Sequence, residues 1–288
     1  MKIIQSFAQF DDGNHYVINN IKNNINGTEI YLNFYTFYLS FLTLKKYYGA
    51  VTMYCNRVAY DTFIKYIPYD EIIIKENKHT QKFWSAYKLD VIDDMTEDFI
   101  HVDSDVFIFD DVFRPFIDNI EYDIMIQFVF DNSNDKNYYY NNICSSDIYD
   151  FRAFTCGVLG MRINIKDSYI KDTNEVFDMI NNNQIPGNNF SFGFILEELT
   201  LYLNMLKNNL KWFAVIPEED IINLGLNEAC EKHKYTHMWF DSKFKEQNIN
   251  LIKNKIRKDF PTYYNVVDKY ENDLSDLNIK LNYIPEKK

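Results

Sequence analysis

Glycine and proline are scarce in this chain, at 8 and 6 of 288 residues, which excludes collagen-like and linker-like sequences. The 4 cysteines, Cys55, Cys144, Cys156 and Cys230, lie far apart with no C-x-x-C spacing. That argues against a zinc site and a disulfide framework, and suggests a reducing, cytoplasmic location. No stretch approaches the ~20 apolar residues of a membrane span. The opening MKIIQSFAQFDDG has an apolar run too short for a secretory signal before Asp11 and Asp12 interrupt it. Cations are in deficit, 30 Lys and Arg against 42 Asp and Glu, for a net charge of −12. Such a surface repels phosphates, so duplex nucleic acid is not expected as a partner through a basic face. A small anionic ligand stays compatible where a metal or a local Lys/Arg cluster screens it.

What is abundant is aromatic. Phe, Trp and Tyr make up 17% of the chain, against the poverty in aromatics of disordered sequences. At 34.6 kDa, with 47% hydrophobic and 25% charged residues, one large α/β domain or two small ones can each bury a core. Residues 1–8 read as a strand. Asn33 to Tyr48 reads as a helix, with apolar residues at spacings of three and four and Gly49 as its stop. Ala50–Cys55 reads as a strand, Val58–Tyr66 as a helix, Glu71–Lys75 as a strand, Gln81–Asp94 as a helix and Phe99–Val102 as a strand. This alternation implies α/β architecture, a mainly parallel sheet flanked by helices.

Beyond it, Asp123–Phe130, Phe154–Arg162 and Trp212–Ile216 read as strands, and Thr236–Trp239 as a short apolar segment. Ser168–Asn181 and Phe194–Leu206 read as helices, joined by the loop NNNQIPGNN. The polar run DNSNDKNYYYNN reads as a loop with Tyr138 to Tyr140 exposed or folding over something. From Phe244 to Lys258 the pattern is helical and charged, continuing past Pro261 as a second helix. Residues 1–245 therefore form the expected main domain, with a helical C-terminal extension over 246–288. Packing on the domain, assembly and weak membrane contact are all open to that extension.

The string FIHVDSDVFIFDDVF carries the chemistry. An apolar strand delivers Asp103 and Asp105, one residue apart. Two carboxylates this close in a partly buried site repel each other unless a cation neutralises them. A divalent metal with hard oxygen ligands is the usual resolution. Ligands of open α/β sheets bind outside the carboxyl ends of the strands. The competing reading is a pair of solvated turn residues.

The segment resembles the DxD motif of GT-A glycosyltransferases, and three later segments fit the same family in order. FTCGVLGMR (Phe154 to Arg162) resembles the F-N-S-G-V strand of the glycogenin and galactosyltransferase group. EELTL (Glu197 to Leu201) resembles the acidic segment opening the following helix. HMWFDSK (His237 to Lys243) resembles the C-terminal H-x-x-G-x-x-K motif, with Phe240 standing in the place of its glycine.

The resemblance implies a GT-A-like (Rossmann-like) fold over about residues 1–245. It also implies metal-dependent transfer of a hexosyl group from a nucleotide sugar, UDP-linked, to a glycan, lipid or protein acceptor. By the same resemblance Asp105 is the primary ligand of Mn²⁺ or Mg²⁺, Asp103 contacts ribose or metal, and His237 completes the shell. A neutral imidazole beside carboxylates suits Mn²⁺ better than Mg²⁺. Lys243 pairs with the diphosphate as a point charge, and Lys88 touches the donor phosphate or sugar. Ser6 and Phe7 occupy the nucleoside's place, although core packing is the default for Phe7, as it is for Trp84.

Gly157 lets a ligand or a second backbone approach its strand. The resemblance implies that Glu197 or Glu198 is the general base on an acceptor hydroxyl if the reaction inverts, or a binder of the donor sugar if it retains. Each lysine and histidine also has a plain reading as a surface or core residue, and the two glutamates as helix-start acids.

Two rivals use the same residues. DSDV also fits the D-x-D-x-[TV] signature of haloacid-dehalogenase-type phosphatases, which place it on their first strand. A catalytically inactive binding or structural protein is the other. A nucleotidyltransferase would want a Gly-rich loop with Lys or Arg after the first strand, and SFAQFDDG lacks one.

Overall fold

The computed structural model describes residues 1–8, 29–76, 85–130, 153–185, 189–238, 240–281 and 283. Its strands are β1 (Lys2–Phe7), β2 (Thr52–Cys55), β3 (Glu71–Ile74), β4 (Phe99–Val102), β5 (Val106–Ile108), β6 (Ile124–Phe130), β7 (Ala153–Met161), β8 (Trp212–Ala214) and β9 (Tyr235–His237). Seven of them form one sheet in the order β3-β2-β1-β4-β7-β6-β8. Strands β3, β2, β1 and β4 run parallel, β7 is antiparallel to both its neighbours, and β8 is parallel to β6. The sheet is therefore mostly parallel, flanked by helices, and helices follow at the C-terminal end. β5 and β9 form a separate two-stranded antiparallel ladder.

Helix Glu29–Tyr48 is covered on every side over residues 32–44, its apolar residues interrupted by the buried polar stripe Asn33, Thr36, Ser40 and Thr43. Its residues Leu32, Phe34, Tyr35, Phe37, Tyr38, Phe41 and Leu44 are at most 1% exposed. One side meets the sheet, where Gln5 Nε2 donates to Ser40 Oγ at 2.9 Å and Phe7 packs on Phe37. The other side meets the C-terminal helices Glu246–Asp259 and Tyr264–Asp276. Tyr270 stacks on Phe34 with ring centroids 3.8 Å apart, and the Tyr35 hydroxyl donates to Glu271 at 2.7 Å. Ile249, Ile252, Ile256, Val267 and Leu274 join the same buried cluster as Ile3 and Ile100. Of the uses open to the extension, packing on the domain is the one seen.

The expected helix over Val58–Tyr66 is divided. Asn56 caps Arg57–Thr62 by accepting the Ala59 N–H at 3.0 Å, and a 3₁₀ turn, Ile64–Tyr66, follows. Phe63 breaks the run because its backbone turns (φ −146°) to bury its ring completely. The expected helix at Phe194 begins earlier, at Asn189, and contains a π-helical turn, Ile195–Leu199. β8 ends at Ala214, but the N–H groups of Val215 and Ile216 still donate to β6 carbonyls. Trp84 and Tyr138–Tyr140 lie outside the described residues. Among the described residues no helix is long and apolar enough to cross a membrane.

Candidate metal centre

β4 ends between β1 and β7 and carries the chain directly into Asp103. The Asp103 N–H donates to the Gly157 carbonyl at 2.8 Å, and the Val106 N–H closes a tight turn on the Asp103 carbonyl at 3.1 Å. β5 then pairs with β9, setting Val106 opposite His237, and the Met238 N–H donates to the Asp105 carbonyl at 2.9 Å. This ladder brings the two distant motifs into contact. One ligand atom from each of Asp103, Asp105 and His237 lies within 4.8 Å of the others. Asp105 is buried, and Asp103 and His237 are half-buried.

Two lysines face the carboxylates. Lys243, on the 3₁₀ turn Phe240–Phe244, donates to Asp105 Oδ2 at 2.8 Å across 138 residues of sequence. His237 Nε2 lies 3.2 Å from Asp105 Oδ1. Burial pushes the Asp105 carboxyl up, but Lys243 and His237 outweigh it and hold it well below the usual carboxylate range. Lys88, from the helix Ala86–Asp93, reaches Asp103 Oδ1 at 3.0 Å and the Cys156 carbonyl at 2.6 Å, and pairs with Glu197. Burial works against the Lys88 charge, but Asp103 and Glu197 more than offset it and hold the ammonium above the usual lysine range. Burial raises Asp103 against the pull of Lys88, and the Asp105 charge adds to the rise. Burial pushes Glu197 up to about 8 even beside Lys88.

The contact of Lys88 with the Cys156 carbonyl is made at an irregularity between β6 and β7. Ile126 pairs with Leu159 but Phe128 pairs with Thr155, so residues 156–158 of β7 all face the single residue Gln127. Such bulges re-aim groups next to functional sites. Here they direct the Cys156 carbonyl at Lys88 and the Gly157 carbonyl at Asp103. A Cβ on Gly157 would meet Gln127 Oε1 at 2.4 Å and His237 Cε1 at 2.7 Å. The absent side chain thus makes room for two protein side chains.

The remaining expected residues fall around this centre. Ser6, at the end of β1, has its Oγ 2.8 Å from His101 Nε2. His101 Nδ1 lies 3.6 Å from Asp103 Oδ1, and burial, followed by the Lys88 charge, holds the ring neutral. Phe7 packs its ring edge-on to Phe37 at 5.1 Å and against Phe63 at 5.7 Å, in the aromatic core. Glu197 and Glu198 are both buried on the π-helical turn, a helix form that recurs at functional sites. Gln127 and His101 were missed by reading the sequence. Their signal was a lone polar residue inside an apolar strand, in IMIQFVF and FIHV, which must find a partner when buried.

A divalent cation fits this donor set. Three carboxylates, Asp103, Asp105 and Glu197, converge with only two ammonium groups, Lys88 and Lys243. Burial first, with repulsion between the carboxyls adding to it, raises Asp103 and Glu197, and a cation beside them would favour their charged forms. Two carboxylate oxygens and an imidazole nitrogen are donors of the kind that divalent cations take.

Residues 1–270 match the model of a family described as "Family of unknown function (DUF6734)". The chain belongs to that family. No curated protein matches it. Among solved structures it is similar to the crystal structure of the glycosyltransferase GlyE in Streptococcus pneumoniae TIGR4, at 11% identity and a TM-score of 0.46. The match covers 99% of this chain and 65% of that one, so the chain spans just under two thirds of the length of that protein.

Proposed function

We propose that this protein is a divalent-metal-dependent glycosyltransferase of the hexosyl class. It would move a sugar from a UDP-linked donor to a hydroxyl of a glycan, lipid or protein. The observation that carries this reading is the convergence of Asp103, Asp105 and His237 within 4.8 Å just past the carboxyl end of a parallel strand. When bound, a divalent cation supplies Lewis-acid neutralisation of a departing diphosphate.

In this reading Asp105 and His237 hold the cation, Mn²⁺ in preference to Mg²⁺, and Asp103 contacts the cation or the donor ribose. Lys243, already at the edge of the donor set, offers a mobile point charge to the diphosphate. Lys88 is locked in the charged state and presents it beside Asp103. Ser6 and Phe7 border the nucleoside, and Gly157 leaves the room that Gln127 and His237 occupy. Glu197 and Glu198 are the carboxylates for the acceptor proton or the donor sugar. Burial pushes Glu197 up to about 8, a range that suits a carboxyl exchanging a proton with an acceptor hydroxyl. Residues 1–245 would be the catalytic body and 246–288 its appended helices.

A phosphatase using DSDV would need Asp105 as a general acid. Its depressed pKa keeps that carboxyl ionised and weighs against the role.

A thermal-shift screen of nucleotide sugars, with and without Mn²⁺, tests the proposal by mass action. One donor should stabilise the fold only with the metal, and should then be slowly hydrolysed in the absence of acceptor. No metal-dependent shift with any donor would overturn the reading. A shift without turnover would identify a binding protein instead.

A further inference from the structure

We infer that Gln127 is a positioning residue that fixes the ring of His237 for metal binding, and that Gly157 and the bulge around it serve to admit this pair. The inference rests on the metal reading above and deepens it. Its observations are separate from the carboxylates.

Gln127 is 0% exposed in the middle of β6, and its Oε1 lies 3.0 Å from His237 Nδ1. An amide oxygen only accepts, so the ring nitrogen facing it carries the hydrogen. That leaves Nε2, the nitrogen 3.2 Å from Asp105 Oδ1 and turned toward the carboxylates, as the ligand atom once a cation takes the place of the hydrogen it directs at Asp105. The opposite tautomer would aim an N–H at the cation and set a nitrogen lone pair against the Gln127 oxygen. Hydrogen bonds to the far nitrogen commonly set orientation and basicity in histidine metal ligands.

The backbone is shaped around this contact. Residues 156–158 oppose Gln127 alone, and a Cβ on Gly157 would come within 2.4 Å of Gln127 Oε1 and 2.8 Å of His237 Nδ1. The strand cannot back away, because the Gly157 carbonyl accepts the Asp103 N–H and Val158 pairs with Val102. Any side chain at 157 must therefore displace the glutamine or the imidazole.

The test is the affinity of the full chain for Mn²⁺ alone, read from the electron paramagnetic resonance of the free ion. Gln127→Leu removes the acceptor and should weaken binding by about 10–100-fold. Gln127→Glu keeps an acceptor oxygen and should recover most of that loss. Gly157→Ala removes no polar group but displaces the pair, and should weaken binding as Gln127→Leu does. Wild-type affinity in Gln127→Leu or in Gly157→Ala would overturn the inference. So would a Gln127→Glu protein as weak as Gln127→Leu, since the role would then be packing alone. Wild-type protein that takes up no Mn²⁺ would sink the metal reading itself, an outcome distinct from these.

Discussion

The two flanks of β1 and β4 are held together in opposite ways. Around helix Glu29–Tyr48 the buried groups are neutral. Phe34, Tyr38 and Tyr270 stack, and the phenols of Tyr35 and Tyr38 reach acceptors. Beyond the carboxyl end of β4 the buried groups are ionisable, carboxyls packed against ammonium groups and an imidazole. Association of apolar faces tolerates small shifts, because it scales with area. A cluster of buried charges tolerates none, because each group's protonation depends on its neighbours within a few ångströms.

The largest expected effect falls on the neutral side. Phe34→Ala opens a cavity beneath Tyr270 and should cost about 3–5 kcal/mol in a denaturant titration. A loss under about 1 kcal/mol would mean that the C-terminal helices contribute little to the core. On the charged side, Asp105→Ala should lower donor turnover by about a hundredfold or more, roughly 3 kcal/mol of barrier. The fold should survive it, as circular dichroism would report, and retained turnover would refute the metal role.

Asp103→Asn sharpens the contrast further. It relieves a carboxyl whose pKa is raised in the fold, so the metal-free protein should melt slightly higher, while the shift induced by Mn²⁺ disappears. A lower melting temperature in that variant would show that the Lys88 contact outweighs the repulsion.

The smallest effect is a slope. Glu197 binds its proton more tightly folded than unfolded, so its contribution to stability is complete below 4.5 and is lost as pH rises to about 8. Melting curves across that window should flatten in Glu197→Gln. Asp105 has the opposite sign, and its contribution is lost as pH falls below the ordinary carboxylate range.

These sites differ in how legible they were. Asp103 and Asp105 could be read because the apolar strand before them is local and the alternation places its end. Lys88 and Glu197 were separate candidates, but their pairing was not readable. It depends on a helix and a π-helical turn meeting across the bulge. Gln127 was passed over because a strand pattern gives its face but not its opposite number. The divided helix at Phe63 shows a local pattern yielding to the burial of one ring.

The sequence alone determined the α/β class, the strand that delivers the carboxylates and the need for something to neutralise them. All of these follow from short-range periodicity and from charge spacing. Only the tertiary structure decided that His237 and Lys243 reach Asp105, that Gln127 faces His237, and that the last helices cover the first. Those depend on which strands pair and in what register, a matter of long-range complementarity between surfaces that no local window of residues contains.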